Sequence, residues 1–156
     1  MSALYFEDFE DGMSFESPAR TITETDLVLF SGLSGDYNAI HTDEEYAKKT
    51  QYGQRVVHGL LGVSIITGLM SREGTFEGTA IAMLGINNWK FLKPLFIGDT
   101  VYVRYTTFDK RASNSNPETG IVNRLFELIN QHGEVVQRGE IPVLIKRKEK
   151  RVEVNK

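Results

Sequence analysis

The chain has 156 residues, of which 40 % are apolar and 25 % charged, so it can bury a core of ordinary size. Lys and Arg total 18 against 21 Asp and Glu, a formal charge of −3 that argues against a dedicated nucleic-acid binder. The absence of cysteine excludes disulfides, thiolate metal sites and cysteine nucleophiles, and three scattered histidines leave little for a metal cluster.

The first twelve residues are acidic and lack the basic-then-apolar order of a signal peptide. The longest apolar stretch, residues 60–70, is interrupted by Gly62, Ser64, Thr67 and Gly68 and is shorter than the roughly 20 residues a bilayer requires. A cytoplasmic protein is the expectation. After an irregular start, a short strand is predicted over residues 17–23. N-cap candidates at 23–26 then open a short helix through Leu27, Leu29, Phe30 and Leu33, ending near Gly32 or Gly35. Residues 34–43 have no clear period and many turn formers. A second short helix is predicted over 43–49, capped by Asp43.

Residues 57–71 carry apolar side chains on every side of a helical wheel, and a helix of that kind is expected to be buried all round. Its glycines lower helix propensity but admit close neighbours. Extended segments follow: 80–92 as one long region, 100–108 with Val101, Val103 and Tyr105 on one face, 121–129, and 135–145. The turn 131–134 joins the last two. Residues 112–120 read as a polar loop. Pro142 demands an edge or an irregularity in the last strand. Several antiparallel strands after one buried helix make an α+β domain, its sheet curled around the helix, and nothing divides the chain into parts.

Two clusters have chemical potential. Asp36, Asn38 and His41 place a carboxylate, an amide and an imidazole within one turn. Such a set can hold a water molecule and exchange protons with it, since imidazole titrates near neutral pH. Equally, Asp and Asn form turns and caps, and a lone histidine is often only packed. His58-Gly59 opens the buried helix, where first-turn amides lack intrahelical acceptors and the dipole adds positive character. The Gly59 amide could stabilise a developing oxyanion; the alternative is a plain helix cap.

Ser34-Gly35-Asp36-Tyr37-Asn38-Ala39-Ile40-His41, Val57-His58-Gly59-Leu60-Leu61 and Phe91-Leu92-Lys93-Pro94-Leu95-Phe96-Ile97-Gly98-Asp99-Thr100 together closely resemble the MaoC-like (R)-specific enoyl-CoA hydratases, over about residues 5–147. The resemblance implies a hot-dog fold, an antiparallel sheet wrapped around a long helix. It implies a hydro-lyase that adds water to trans-2-enoyl-CoA, with Asp36 and His41 as the catalytic dyad and Asn38 holding the water. The Gly59 amide would polarise the thioester carbonyl, and Ser64 and Thr67 would lie near the substrate. Ala39 departs from the family's usual proline, which leaves that turn less constrained. No metal or other cofactor is implied; coenzyme A or acyl carrier protein would enter as part of the substrate.

A homodimer is expected, because a sheet around one helix leaves strand edges open. An acyl-CoA thioesterase is an alternative on the same fold, weakened by the lack of an acid within 58–70. A non-catalytic thioester-binding protein is another. Leu33, Tyr37, Ile40 and Leu61 are candidates to line the pocket. Lys90 and Lys93, and the tail residues Lys146, Arg147, Lys148, Lys150 and Arg151, are candidates to meet phosphate or simply to be solvated.

Overall fold

A computed structural model describes residues 3–148. After a 3₁₀ turn at Phe6–Asp8 come two short strands, β1 (Ser14–Glu16) and β2 (Arg20–Thr21), where one strand over 17–23 was expected. Pro18 removes a donor between them and separates the two pairings, both made to β5. Helix α1 (Glu24–Ser34) starts at a capping box, with Thr23 and Asp26 bonding reciprocally, and ends at Gly35 in the left-handed region (φ 75°). Two one-turn helices follow, α2 (Ala39–Thr42) and α3 (Glu44–Lys48), then α4 (Gly59–Ser71).

The remaining elements are strands: β3 (Ala80–Met83), β4 (Asn87–Phe91), β5 (Thr100–Ala112), β6 (Thr119–Ile129), β7 (Val135–Glu140) and β8 (Val143–Lys146). The expected region 80–92 is thus two strands, parted at residues 84–86. The expected strand 135–145 breaks at Ile141–Pro142, where β7 leaves for β4 and β8 pairs with β3 and β6. The sheet is antiparallel throughout, with order β1-β5-β6-β7-β4. It curls around α4: Leu61, Ile65, Ile66 and Leu69 of the helix share one core with Val101, Val103 and Tyr105 of β5 and Phe126 and Leu128 of β6. This is the hot-dog arrangement.

Burial of α4 is one-sided. Leu61, Val63, Ile65, Ile66 and Leu69 are buried, while Leu60, Ser64, Gly68 and Ser71 form an exposed stripe. The expectation of a helix buried all round fails within one chain because the sheet reaches only one side of it. Among the described residues, no helix is long and apolar enough to cross a membrane.

Sheet and strand edge meet closely at Gly139. A Cβ there would lie 2.9 Å from the backbone Cα of Trp89 on β4 and would run into the indole. Backbone cannot swing aside as a flexible side chain can. Gly139→Ala is expected to destabilise the fold by about 1–3 kcal/mol, read by denaturant unfolding; an unchanged midpoint would show that β4 yields freely.

Candidate active site

The loop after α1 is built by local polar bonds. Ser34 Oγ accepts from the Asp36 N–H at 3.2 Å, and Asp36 Oδ1 accepts from the Asn38 N–H at 3.2 Å. Asn38 then caps α2, its Oδ1 accepting from the Ile40 N–H at 3.3 Å. The single turn of α2 carries His41. Its ring Nδ1 lies 2.6 Å from the Val56 carbonyl oxygen. A carbonyl only accepts, so Nδ1 holds the proton and Nε2 presents its lone pair. That lone pair looks toward Asp36, with Oδ2 at 4.0 Å from Nε2. The gap exceeds a hydrogen bond but suits one oxygen atom set to the side of the line and bonded to both groups.

Beneath this pair lies His58, 2 % exposed. Its ring stacks on that of His41, with centroids 3.9 Å apart, and also touches Phe30. Its Nε2–H donates to the backbone carbonyl of Asp36 at 3.1 Å, with Ser31 Oγ at 3.4 Å. One buried side chain therefore holds the Asp36 loop and supports the His41 ring. His58 is also the residue before α4, extended at φ −55° and ψ 133°, so Gly59 is the first helical residue. The Gly59 N–H has no acceptor within the helix by position.

A cleft of ≈410 Å³ opens in front of these groups, lined among others by His41, Gly59, Phe91, Lys93 and Gln137. The ring of Phe91 crosses Gly59 closely enough that a Cβ would lie 2.8 Å from Cε1. Gln137 donates from Nε2 to the Gly59 carbonyl at 3.1 Å and packs on Gly62, whose missing side chain makes room for it. The third sequence motif shapes the cleft wall. Asp99 Oδ2 accepts from the Phe96 N–H at 2.8 Å, and the Val57 N–H donates to the Leu95 carbonyl at 2.8 Å, tying that loop to the start of α4.

The expected site residues divide. Asp36 faces His41, and His41 and Gly59 line the same cleft. Asn38 stands beside them, with its carbonyl oxygen committed to the α2 cap. Thr67 is half-buried, two turns along α4, and bonds to the Ser64 carbonyl. Ser64 lies on the exposed stripe, donates to the Leu60 carbonyl at 3.0 Å, and lines a different depression beside Arg20 and Arg72. Of the suggested pocket residues, Ile40 lines the cleft; Leu33 is 85 % exposed, Tyr37 is exposed, and Leu61 points into the core. Lys93 borders the cleft and is paired with Glu134. Arg147 pairs with Glu7 and Lys148 with Asp8, while Lys150 and Arg151 lie outside the described residues.

Asp36, His41 and His58 offer potential ligand atoms within 4.8 Å of one another. His58 spends its Nε2–H on a carbonyl, so its one nitrogen with a lone pair to offer is Nδ1, which is buried without a hydrogen-bond partner. The support given by His58 is not visible in the sequence, where a histidine at a helix start is equally a plain cap. Its signal was faint: a histidine next to an invitingly placed glycine.

Ala39 occupies the first position of α2, where proline loses no helical bond. Asn38, at φ −53° and ψ 134°, already has the extended conformation required before proline. Ala39→Pro is therefore expected to stabilise the protein by about 0.4–1 kcal/mol, seen as a raised thermal midpoint, with activity retained. A lowered midpoint would show that the α2 turn differs from the one described.

Residues 8–126 match the family described as "MaoC like domain". The (R)-specific enoyl-CoA hydratase of Rhodospirillum rubrum is 35 % identical over 141 residues, covering 90 % of this chain and 91 % of that protein. Protein MaoC of Klebsiella aerogenes is 41 % identical over 102 residues, 65 % of this chain but only 30 % of that longer protein. Among solved structures, one titled as a monoamine oxidase regulatory protein from Archaeoglobus superposes with a TM-score of 0.88 at 34 % identity, covering 96 % of this chain and 98 % of that one.

Proposed function

The chain belongs to the MaoC-like dehydratase family, and we propose that it adds water reversibly to a trans-2-enoyl thioester, giving the (R)-3-hydroxyacyl product. The observation that carries this reading is the Asp36–His41 pair, separated by one water's width, with His41 on the wall of the cleft that also contains the first residue of α4.

In the hydration direction, one water is held between Asp36 Oδ2 and His41 Nε2. One of the two groups takes a proton as the water oxygen bonds to C3. The C2–C3 double bond gives its electron pair to C2 and, through conjugation, to the thioester oxygen. The Gly59 N–H and the dipole of α4 meet that oxygen. A proton then passes to C2, so one water is consumed and none of its atoms is left over. His58 keeps both acid–base groups in place by its bond to the Asp36 carbonyl and its stack on His41. Asn38 acts through the cap that orients α2. No metal or further cofactor has a part in this reading.

The carrier, coenzyme A or acyl carrier protein, would enter along the wall formed by Phe91 and Lys93. The working unit on this reading is a homodimer. Among the described residues, strands β3 and β4 each pair along one edge only, and Ile81, Met83, Phe91 and Leu92 on or next to them are large apolar side chains left exposed. Light scattering at micromolar concentration is expected to give twice the chain mass.

The direct assay is loss of enoyl absorbance from crotonyl-CoA and longer trans-2-enoyl-CoA substrates, with product chirality determined. Formation of the (R)-3-hydroxyacyl thioester supports the reading. Release of free thiol with no hydration would replace it by a thioesterase.

A further inference from the structure

Strand β6 sends Val122, Arg124, Phe126 and Leu128 to the buried side of the sheet. The second of these is an arginine, 1 % exposed, on a face otherwise apolar. Arginine is almost never so deeply buried without a carboxylate partner. Among the described residues, Arg124 has no such partner. Glu73, at the end of the same core, bonds instead to the Tyr105 hydroxyl at 2.9 Å. The guanidinium lies over the rings of Phe76, Phe126 and Tyr105, at 4.5, 4.9 and 5.8 Å from carbon to centroid. Nη1 points at the Met70 sulfur at 3.2 Å, a weak acceptor, and Nε is buried with no acceptor. Burial pushes its pKa down only to about 10, so the group is charged at neutral pH.

Arg124 borders a cavity of ≈210 Å³ whose wall is otherwise nearly all apolar, including Ile66, Thr67 and Met70 of α4. This cavity and the catalytic cleft lie along one side of the helix. Gly59, Gly62, Ile66 and Met70 recur at the three- and four-residue spacing of a helical face. Thr67 is eight positions beyond Gly59, about 12 Å along the axis. The sheet runs in step: Gln137 stands at the cleft opposite Leu128, Gly139 opposite Phe126, and Ile141 bonds to the Arg124 carbonyl. The Gln137 side chain fills the space over Gly62 between the cleft and the cavity, so an acyl chain running from a thioester carbonyl at the Gly59 amide toward Arg124 has to displace it.

We infer that the acyl chain accepted by this site is of medium length and ends in a carboxylate, which pairs with the Arg124 guanidinium at the far end of the cavity. The inference rests on the thioester reading of the cleft and adds the chemistry of the tail. A carboxylate at the part of the guanidinium that borders the cavity would compensate a charge already desolvated by the fold, so the protein side of the desolvation cost is met before binding.

The test uses saturated acyl-CoA thioesters of six, eight and ten carbons, made in pairs that end in methyl or in carboxylate. They cannot be hydrated, so calorimetry reads the pocket apart from the chemistry. The matching trans-2-enoyl thioesters are assayed for turnover. At the best length the carboxylate-ended ligand is expected to bind about 10–100-fold more tightly than its methyl partner. Arg124→Met should erase that preference, and Arg124→Lys should retain part of it.

Equal or tighter binding of the methyl-ended ligand at every length would overturn the inference, as would a preference that survives in Arg124→Met. Failure to bind any of the ligands would overturn it as well. If the methionine variant does not fold, the wild-type ligand pairs and the lysine variant decide. Carboxylate preference without turnover of any enoyl thioester would uphold the tail assignment and sink the hydratase reading; turnover of methyl-ended substrates alone would do the reverse.

Discussion

Asp36→Asn and His41→Gln are each expected to lower kcat/KM for enoyl-CoA hydration by about 10²–10⁴-fold, the range of a positioned general acid or base. Both substitutions keep the size of the side chain and remove its ability to exchange a proton. The Asp36 side chain is 51 % exposed, so its loss should leave stability within about 0.5 kcal/mol of wild type. His41 is more enclosed and gives up its bond to the Val56 carbonyl, so a modest drop in thermal midpoint is expected there. On the proposed mechanism the two groups share one water. The double variant should therefore be little worse than the weaker single variant, because an acid–base pair that acts as a unit is lost with its first member. Full additivity would mean that they serve separate steps. Steady-state kinetics on the three variants, with unfolding curves beside them, settles the matter. Activity within tenfold of wild type in both single variants would remove the dyad.

The second large effect is expected at Gly59. Proline in place of Gly59 deletes the N–H proposed to meet the thioester oxygen, and few other positions would tolerate it so well. Gly59 is the first residue of α4, where the amide makes no helical bond, and His58 already holds the extended conformation that proline requires of its predecessor. The helix should survive while kcat falls by about 10²–10³-fold, the loss usual for one oxyanion donor. The added ring atoms would press on Phe91, so Gly59→Ala is the control. It introduces a Cβ against the same ring but keeps the amide. Phe91 is more than half exposed and can turn away, so alanine should cost far less than proline. Equal losses in the two variants would assign the effect to crowding and take the amide out of the mechanism.

Much of this architecture was legible in the sequence because it rests on local signals. The start and stop of α1 were marked by Thr23 and Gly35, the cap of α3 by Asp43, and the turn at 131–134 by its polar residues and Gly133. Alternation in β5 gave its buried face directly. What escaped depended on partners distant in sequence. Residues 80–92 look extended throughout, but β3 joins β8 while β4 joins β7, and no local pattern distinguishes those destinations. The exposed stripe of α4 was hidden because Leu60 is as apolar as Leu61; only the reach of the sheet tells them apart.

The site was half legible. The spacing of Asp36 and His41 suggested convergence, but the device that achieves it is a one-turn helix capped by Asn38, where an irregular turn was expected. Ser64 looked equivalent to Thr67 in sequence, yet their positions on the helix place one toward solvent and the other beside the inner cavity. Arg124 left a readable trace that went unused: a charged residue in phase with Val122, Phe126 and Leu128 on a strand whose buried face is otherwise apolar.

The most direct test is hydration of crotonyl-CoA in deuterium oxide, with the product examined by NMR. One water held by one acid–base pair must deliver hydroxyl and deuteron to the same face of the double bond. The expected product is a single syn diastereomer of 2-deuterio-(R)-3-hydroxybutyryl-CoA, formed without free thiol. A mixture of diastereomers, the (S)-alcohol, or release of coenzyme A alone would contradict the account.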